Sequence, residues 1–293
     1  MLSRADLALL LVAAIWGTTF SLLRESLRVI HPVELMAIRF TIATIFVAAI
    51  YPKRIWPIRR AWLLDGLWLG VWLAIGYLTQ VIGLATISAA RSAFITSTYV
   101  VFAPVMGIPL AHAFPGIGDL IGVALVLLGI TLFSADAGFS LQSGDLWTLG
   151  CALAFGVQIV VTNVVAKRND PVALSVVQMA VGALAGWGLV AGRGGFHTPV
   201  QAMPWGVLIY LAIVATSLVI VIQTWALART TPVKASLLFA TEPLFAALFA
   251  VAFFGEIMSG HELLGAAIIL LGVVVAVLWK PAVARLRGRA ARS

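Results

Sequence analysis

Residues 5–17 read ADLALLLVAAIWG, and residues 144–156 read GDLWTLGCALAFG. At a shift of 139 residues they align Asp6-Leu7 with Asp145-Leu146, Ala13 with Ala152 and Gly17 with Gly156. The match runs on through Pro32-Val33 with Pro171-Val172 and Leu35 with Leu174. Apolar matches alone say little here, but an acid, a glycine and a proline in register mark a helix start, a close contact and a helix entry. Further along, a shift of 143 pairs Trp62 with Trp205, Gln80 with Gln223, Arg91 with Lys234, Thr98 with Thr241, Asp119 with Glu262, Gly122 with Gly265 and Gly129 with Gly272. The chain therefore reads as a duplicated unit, residues 1–137 and 138–280, followed by a basic tail at 281–293.

Of the 293 residues, 62% are apolar and 10% charged, against roughly 45–50% and 25% in a soluble domain. Thirty charges cannot cover a water-soluble globule of this size, so the chain is built for lipid. Hydrophobic runs bounded by charge, Pro or Gly fall at 7–23, 34–51, 63–86, 92–111, 117–135, 146–166, 172–191, 205–228, 235–253 and 261–279. At roughly 20 residues per crossing, they predict an all-α polytopic membrane protein with ten transmembrane helices. Five spans per unit is an odd number, so the second copy enters from the opposite side and the two repeats are inverted. Inverted repeats are a recurring plan of secondary transporters, because two pseudo-symmetric halves can open a central site to each side in turn.

Basic loops stay in the cytoplasm. Fourteen of the nineteen Lys and Arg residues lie on the side of the N-terminus, and four (Arg24, Arg28, Arg91 and Arg193) on the other. Both termini are thus expected to be cytoplasmic. The five bases of Lys280–Ser293 are expected either to lie on anionic headgroups or to act as a topology determinant. A net charge of +8 distributed between apolar runs offers no basic face for nucleic acid. Residues 1–16 resemble a signal peptide, but the run continues to Leu23 and recurs at 146–166, which predicts a retained first span. Cys151 is the sole cysteine, so no internal disulfide is possible.

Trp16-Gly17, Arg39-Phe40, Glu242-Pro243, Gly255-Glu256 and the Gly265/Gly272 spacing resemble EamA-type members of the drug/metabolite transporter superfamily over nearly the whole chain. That resemblance implies ten helices, a central cavity and export of small metabolites across the bacterial inner membrane, with amino acid exporters among the members. Two positions depart from repeat symmetry: Tyr99-Val100 stands in place of Glu242-Pro243, and Gln178 in place of Arg39.

A polar side chain at mid-membrane must face protein or a water-filled cavity. By that criterion Trp16, Tyr77, Gln80, Tyr99, Gln158, Asn163, Gln223 and Thr241 are candidate substrate-binding residues. They mix aromatic faces with hydrogen-bonding groups, which suits small zwitterions or aromatic metabolites; with the resemblance, that points to amino acids with neutral or aromatic side chains. Trp16 and Tyr99 could equally be packing residues, and Gln80 and Gln223 could bond across helices only to satisfy themselves. Glu242 is the one carboxylate deep in a span, at a cost of about 2.5–3.5 kcal/mol. It is either a coupling site or a structural hydrogen-bonding group beside Pro243. Arg39 is expected near the outer end of its span, paired with Glu34 or snorkelling, with binding of a substrate carboxylate as the other option. Pro104 and Pro243 are candidate hinges or fixed bends. Gly66/Gly70, Gly118/Gly122 and Gly182/Gly186 put small residues on one helix face, for static packing or for sliding.

His261-Glu262 lacks the second His of a zinc helix, the four histidines are scattered, and no dinucleotide or Walker A pattern exists. No metal, no cofactor and no enzymatic activity are expected. The expected partners are a small-molecule substrate and membrane lipids, with oligomeric state open and a monomer sufficient. The leading expectation is a secondary carrier that works by alternating access, most simply as an exporter. A membrane enzyme acting on lipid-linked substrates would need clustered acids or histidines near one interface, whereas a small-solute channel shares the polar lining and is separated only by experiment.

Overall fold

The computed structural model describes residues 2–57, 59–112, 114–133, 142–254 and 259–290, and among them there are helices and no strands. Ten apolar helices follow one another: α1 Arg4–Ser26, α2 Pro32–Ile50, α3 Arg60–Leu84, α4 Ala89–Ala111, α5 Ile117–Phe133, α6 Ser143–Val165, α7 Pro171–Gly192, α8 Trp205–Leu227, α9 Pro232–Phe253 and α10 Gly260–Ala290. Among the described residues, nine of these are long and apolar enough to cross a bilayer. The 17 described residues of α5 sit at the short end of the roughly 17–25 that suffice. The expected end of α5 at 135 and the Gly255-Glu256 motif lie outside the described residues. The last helix continues to Ala290, past the expected end at 279. Loss of apolar residues marks where the membrane stops, not where a helix stops.

The repeat is visible in how the helices begin. Ser3 and Asp6 form a reciprocal capping box at the start of α1, and at the start of α6, 139 residues on, Asp145 likewise accepts from the Gln142 N–H at 2.8 Å. Both acids then reach a base on the other repeat. Lys234 at the start of α9 pairs with Asp6 at 2.7 Å, and Arg91 in the first turn of α4 pairs with Asp145 through two contacts of 2.6 Å. The first pair sits at the end of the bundle where the chain starts, the second at the opposite end, because α4 and α6 begin there.

Packing obeys the same symmetry. A Cβ on Gly17 would lie 2.7 Å from Phe245 Cβ of α9, and one on Gly156 would lie 2.6 Å from Phe102 Cβ of α4, the repeat counterpart of Phe245. In α5 and α10, Gly122 meets the Gly272 carbonyl and Gly129 the Gly265 carbonyl, at 2.9 and 2.7 Å from the same construction. Gly66 and Gly70 of α3 receive Val177 and Val181 of α7, and Gly182 and Gly186 receive Phe40 and Ala37 of α2. These approaches leave no room for a methyl group. Gly156→Ala should therefore cost about 1–3 kcal/mol through overpacking and lower the melting temperature of the detergent-solubilised protein. Gly188→Ala, which meets nothing within 4 Å, should not lower it.

On the outside, Leu7, Leu11, Ile45, Leu64, Leu184 and Leu248 are each half exposed or more, an apolar surface that lipid tails, not water, would cover.

Two helices are interrupted at equivalent places. The first part of α4 ends at Thr96 and the second starts at Tyr99; in α9 the corresponding residues are Phe239 and Glu242. At each break a threonine folds back on the preceding turn, Thr98 donating to the Ile95 carbonyl at 2.6 Å and Thr241 to that of Leu238 at 2.7 Å. Pro243 is the second residue of its half-helix, where a missing N–H costs nothing. Pro104 lies five residues beyond its break, inside the second half of α4.

Candidate functional site

A narrow cavity with about 30 Å³ of free space, lined by fourteen residues, lies in the middle of the bundle. Ten of its fourteen lining residues form five pairs related by the repeat shifts: Trp16 with Phe155, Thr19 with Gln158, Gln80 with Gln223, Thr96 with Phe239, and Tyr99 with Glu242. The cavity straddles the pseudo-twofold axis. The phenol of Tyr99 donates to Glu242 Oε2 at 3.2 Å across that axis, so the starts of the two second half-helices touch each other.

Of the residues expected to line a site, Trp16, Tyr77, Gln80, Tyr99, Gln158, Gln223, Glu242 and Arg39 meet here. Asn163 and Thr241 do not. Asn163 donates to the carbonyls of Leu227 and Thr230 at 2.6 and 2.8 Å, closing the end of α8, and accepts from Lys167. Thr241 is spent on the break in α9.

Arg39 is not paired with Glu34 and does not reach out of the bundle. It is 1% exposed. Its Nε donates to Thr216 Oγ1 at 2.5 Å, its Nη2 to the Ala215 carbonyl at 3.3 Å, and its guanidinium stacks 4.8 Å from the centre of the Tyr77 ring. Glu34 instead takes Arg193 at 2.6 Å, the backbone N–H groups of His197 and Thr198, and the Thr198 hydroxyl. Burial and the nearby Arg193 push the His31 imidazole below its usual pKa. The segment around 193–198 covers the end of α2, so a residue counted as near the outer end of its span lies in the interior.

The carbonyl that holds Arg39 comes from an unusual stretch of backbone. Tyr210–Leu218 of α8 is wound as a π-helix, with Thr216 and Ser217 hydroxyls bonded five residues back, to Leu211 and Ala212. π turns leave carbonyls less fully committed and recur at functional sites. The Ala215 carbonyl accepts from Trp16 Nε1 at 3.1 Å as well as from Arg39. The aromatic lining is set by rings on both repeats: Tyr77 lies edge-on between Phe40 and Phe155, and Trp16 rests against Phe239.

Phe155, Phe239, Thr216 and Ala215 were not among the expected residues. The repeat shift from Trp16 leads to Phe155. No side-chain pattern in YLAIVATSL announces a π turn.

Among the described residues, ten apolar helices in two related halves around a central cavity make a polytopic membrane protein with a site at its centre. The EamA-like transporter family model matches the chain twice, over residues 3–135 and 142–278, and the chain belongs to that family. It is 32% identical over 275 residues to an uncharacterized transporter of Archaeoglobus fulgidus, covering 92% of this chain and 85% of that protein. A solved crystal structure superposes with a TM-score of 0.79 over 94% of this chain and 99% of its own, at 20% identity, which speaks to the fold.

Proposed function

We propose that the protein is a secondary carrier that moves small metabolites, amino acids with neutral or aromatic side chains foremost, out of the cytoplasm of a bacterial cell across its inner membrane by alternating access. The observation that carries this reading is the composition of the cavity wall. It is assembled from repeat-related pairs, so a solute in it faces equivalent positions of both halves, as exchange between two pseudo-symmetric conformations requires. The ion pairs Asp6–Lys234 and Asp145–Arg91 lie at the two ends, where each can close one exit. Substrate contacts are assigned to Trp16, Tyr77, Gln80, Tyr99, Gln158 and Gln223, with Glu242 as the group that couples transport to protons. Both termini are assigned to the cytoplasm on the distribution of basic residues.

The test is reconstitution in proteoliposomes with labelled amino acids, with and without a pH gradient. A carrier is expected to give saturable counterflow: unlabelled solute on one side drives transient accumulation of label against its gradient. Flux that is linear in concentration and shows no counterflow would establish a channel instead.

A further inference from the structure

We infer that the cavity recognises a zwitterion by its two charged ends, with Arg39 holding a carboxylate and the side-chain carbonyl of Gln223 receiving an ammonium. This rests on the carrier reading and narrows it to solutes that bear both groups.

Arg39 is a buried cation without a counter-ion. No carboxylate lies in salt-bridge contact with it among the described residues, and its Nη1 has no acceptor at all. Thr216 and the Ala215 carbonyl fix the remaining nitrogens, so the guanidinium is held in place with Nη1 buried and unpartnered, on a residue that lines the cavity. A planar fork with a free N–H edge matches a carboxylate.

The second pole is set by a chain of amides whose direction is fixed at its far end. The Thr224 hydroxyl donates its only proton to the Ile220 carbonyl at 2.7 Å, so toward Gln178 its oxygen can only accept, and Gln178 Nε2 donates to it at 3.2 Å. Gln178 Oε1 then accepts from Gln158 Nε2 at 3.2 Å, and Gln158 Oε1 from Gln223 Nε2 at 3.3 Å. What is left over is Gln223 Oε1, buried and without a donor, on a residue that lines the cavity. Reversing any one amide in the chain would set donor against donor or acceptor against acceptor.

Among the described residues, Arg39 Nη1 and Gln223 Oε1 are the only unpartnered buried polar atoms on the cavity lining. One is a cationic donor and the other an acceptor. Glu242 adds a carboxylate to the same wall without forming an ion pair with Arg39. An amine would leave Arg39 bare and an acid would leave Gln223 bare, and a buried polar group left unpaired is what makes such sites selective.

The test measures binding to the purified protein in nanodiscs by calorimetry, using L-leucine with isopentylamine and 4-methylpentanoate, and L-phenylalanine with phenethylamine and 3-phenylpropanoate. In each set the hydrocarbon is nearly constant and one charged end is missing. At least one of the amino acids should bind tenfold or more tighter than both of its analogues. Arg39→Gln should bring that amino acid down to the level of its amine while the amine is unaffected. Arg39→Lys, which keeps the charge and loses the fork, should fall between and serves if Arg39→Gln does not fold. Gln223→Leu should bring the amino acid down to the level of its acid. Thr224→Val frees the amide chain to reverse, so it should weaken amino acid binding and strengthen acid binding, a shift that mere loosening of the fold would not give. The inference is overturned if neither amino acid binds, if the analogues bind as tightly, or if the variants weaken all ligands alike. Counterflow of some other class of metabolite would then leave the carrier reading standing; absence of all counterflow would remove that reading instead.

Discussion

Arg91→Gln is expected to bias the protein toward opening at the end where α6 begins, and Lys234→Gln toward opening at the end where α1 begins. Each replacement keeps the acid bonded at its helix start and removes the base that ties α4 to α6 or α9 to α1. Both acids are nearly buried, Asp6 at 1% and Asp145 at 7% side-chain exposure. Removing the partner of a buried charge costs about 3–5 kcal/mol in favourable cases, and the partial exposure of Lys234 and Arg91 lowers that to about 1.5–3 kcal/mol. A bias of that size changes the ratio of the two conformations roughly tenfold to a hundredfold. Cys151 is buried and is the only native thiol, so a cysteine placed at the cavity position Thr96 in a Cys151→Ala background gives a single reporter. Its labelling by a membrane-impermeant maleimide should rise about tenfold or more from one face in Arg91→Gln and from the other in Lys234→Gln. Increases from the same face in both variants would mean that the two pairs are not opposed closures.

Glu242→Gln should produce the other large effect: uphill accumulation driven by a pH gradient falls to the equilibrium ratio, while counterflow persists. Glutamine has nearly the shape of glutamate, and its Oε1 can still accept from Tyr99, so the contact across the axis survives. What disappears is a group that can exchange a proton. Among the described residues, Glu242 is the one carboxylate on the cavity wall. Unchanged pH-driven accumulation would reduce it to a structural partner of Tyr99. Loss of counterflow together with a lowered melting temperature would do the same.

The sequence is legible wherever one physical constraint dominates. Hydrocarbon thickness dictates span length, so the expected 34–51 and 205–228 became Pro32–Ile50 and Trp205–Leu227. Repeat register was carried by Asp, Gly and Pro because each has a fixed local task, and Gly17 and Gly156 do sit against counterpart phenylalanines. The polar wall was readable from Gln80, Gln158, Gln223 and Glu242, since lipid tolerates none of them. Depth was not readable. Arg39 looked peripheral because nothing in the span itself reveals that residues 193–198 fold over Glu34 and bury that end. The interruptions at 97–98 and 240–241 precede the prolines that suggested bends, because threonines carry them, and threonine is common in helices that do not break. The π turn packs against α2, and no local composition in YLAIVATSL encodes it.

The contact between Tyr99 and Glu242 joins two residues that occupy the same place in the two copies. Had five-helix subunits assembled as identical twins, symmetry would have forced acid against acid or phenol against phenol at that point, because a rotation axis brings every atom to face its own duplicate. Joining the halves into one polypeptide lifts that compulsion. It lets the centre of the molecule hold a donor opposite an acceptor, and one arginine where its twin keeps an amide, and so recognise a ligand whose own two ends differ.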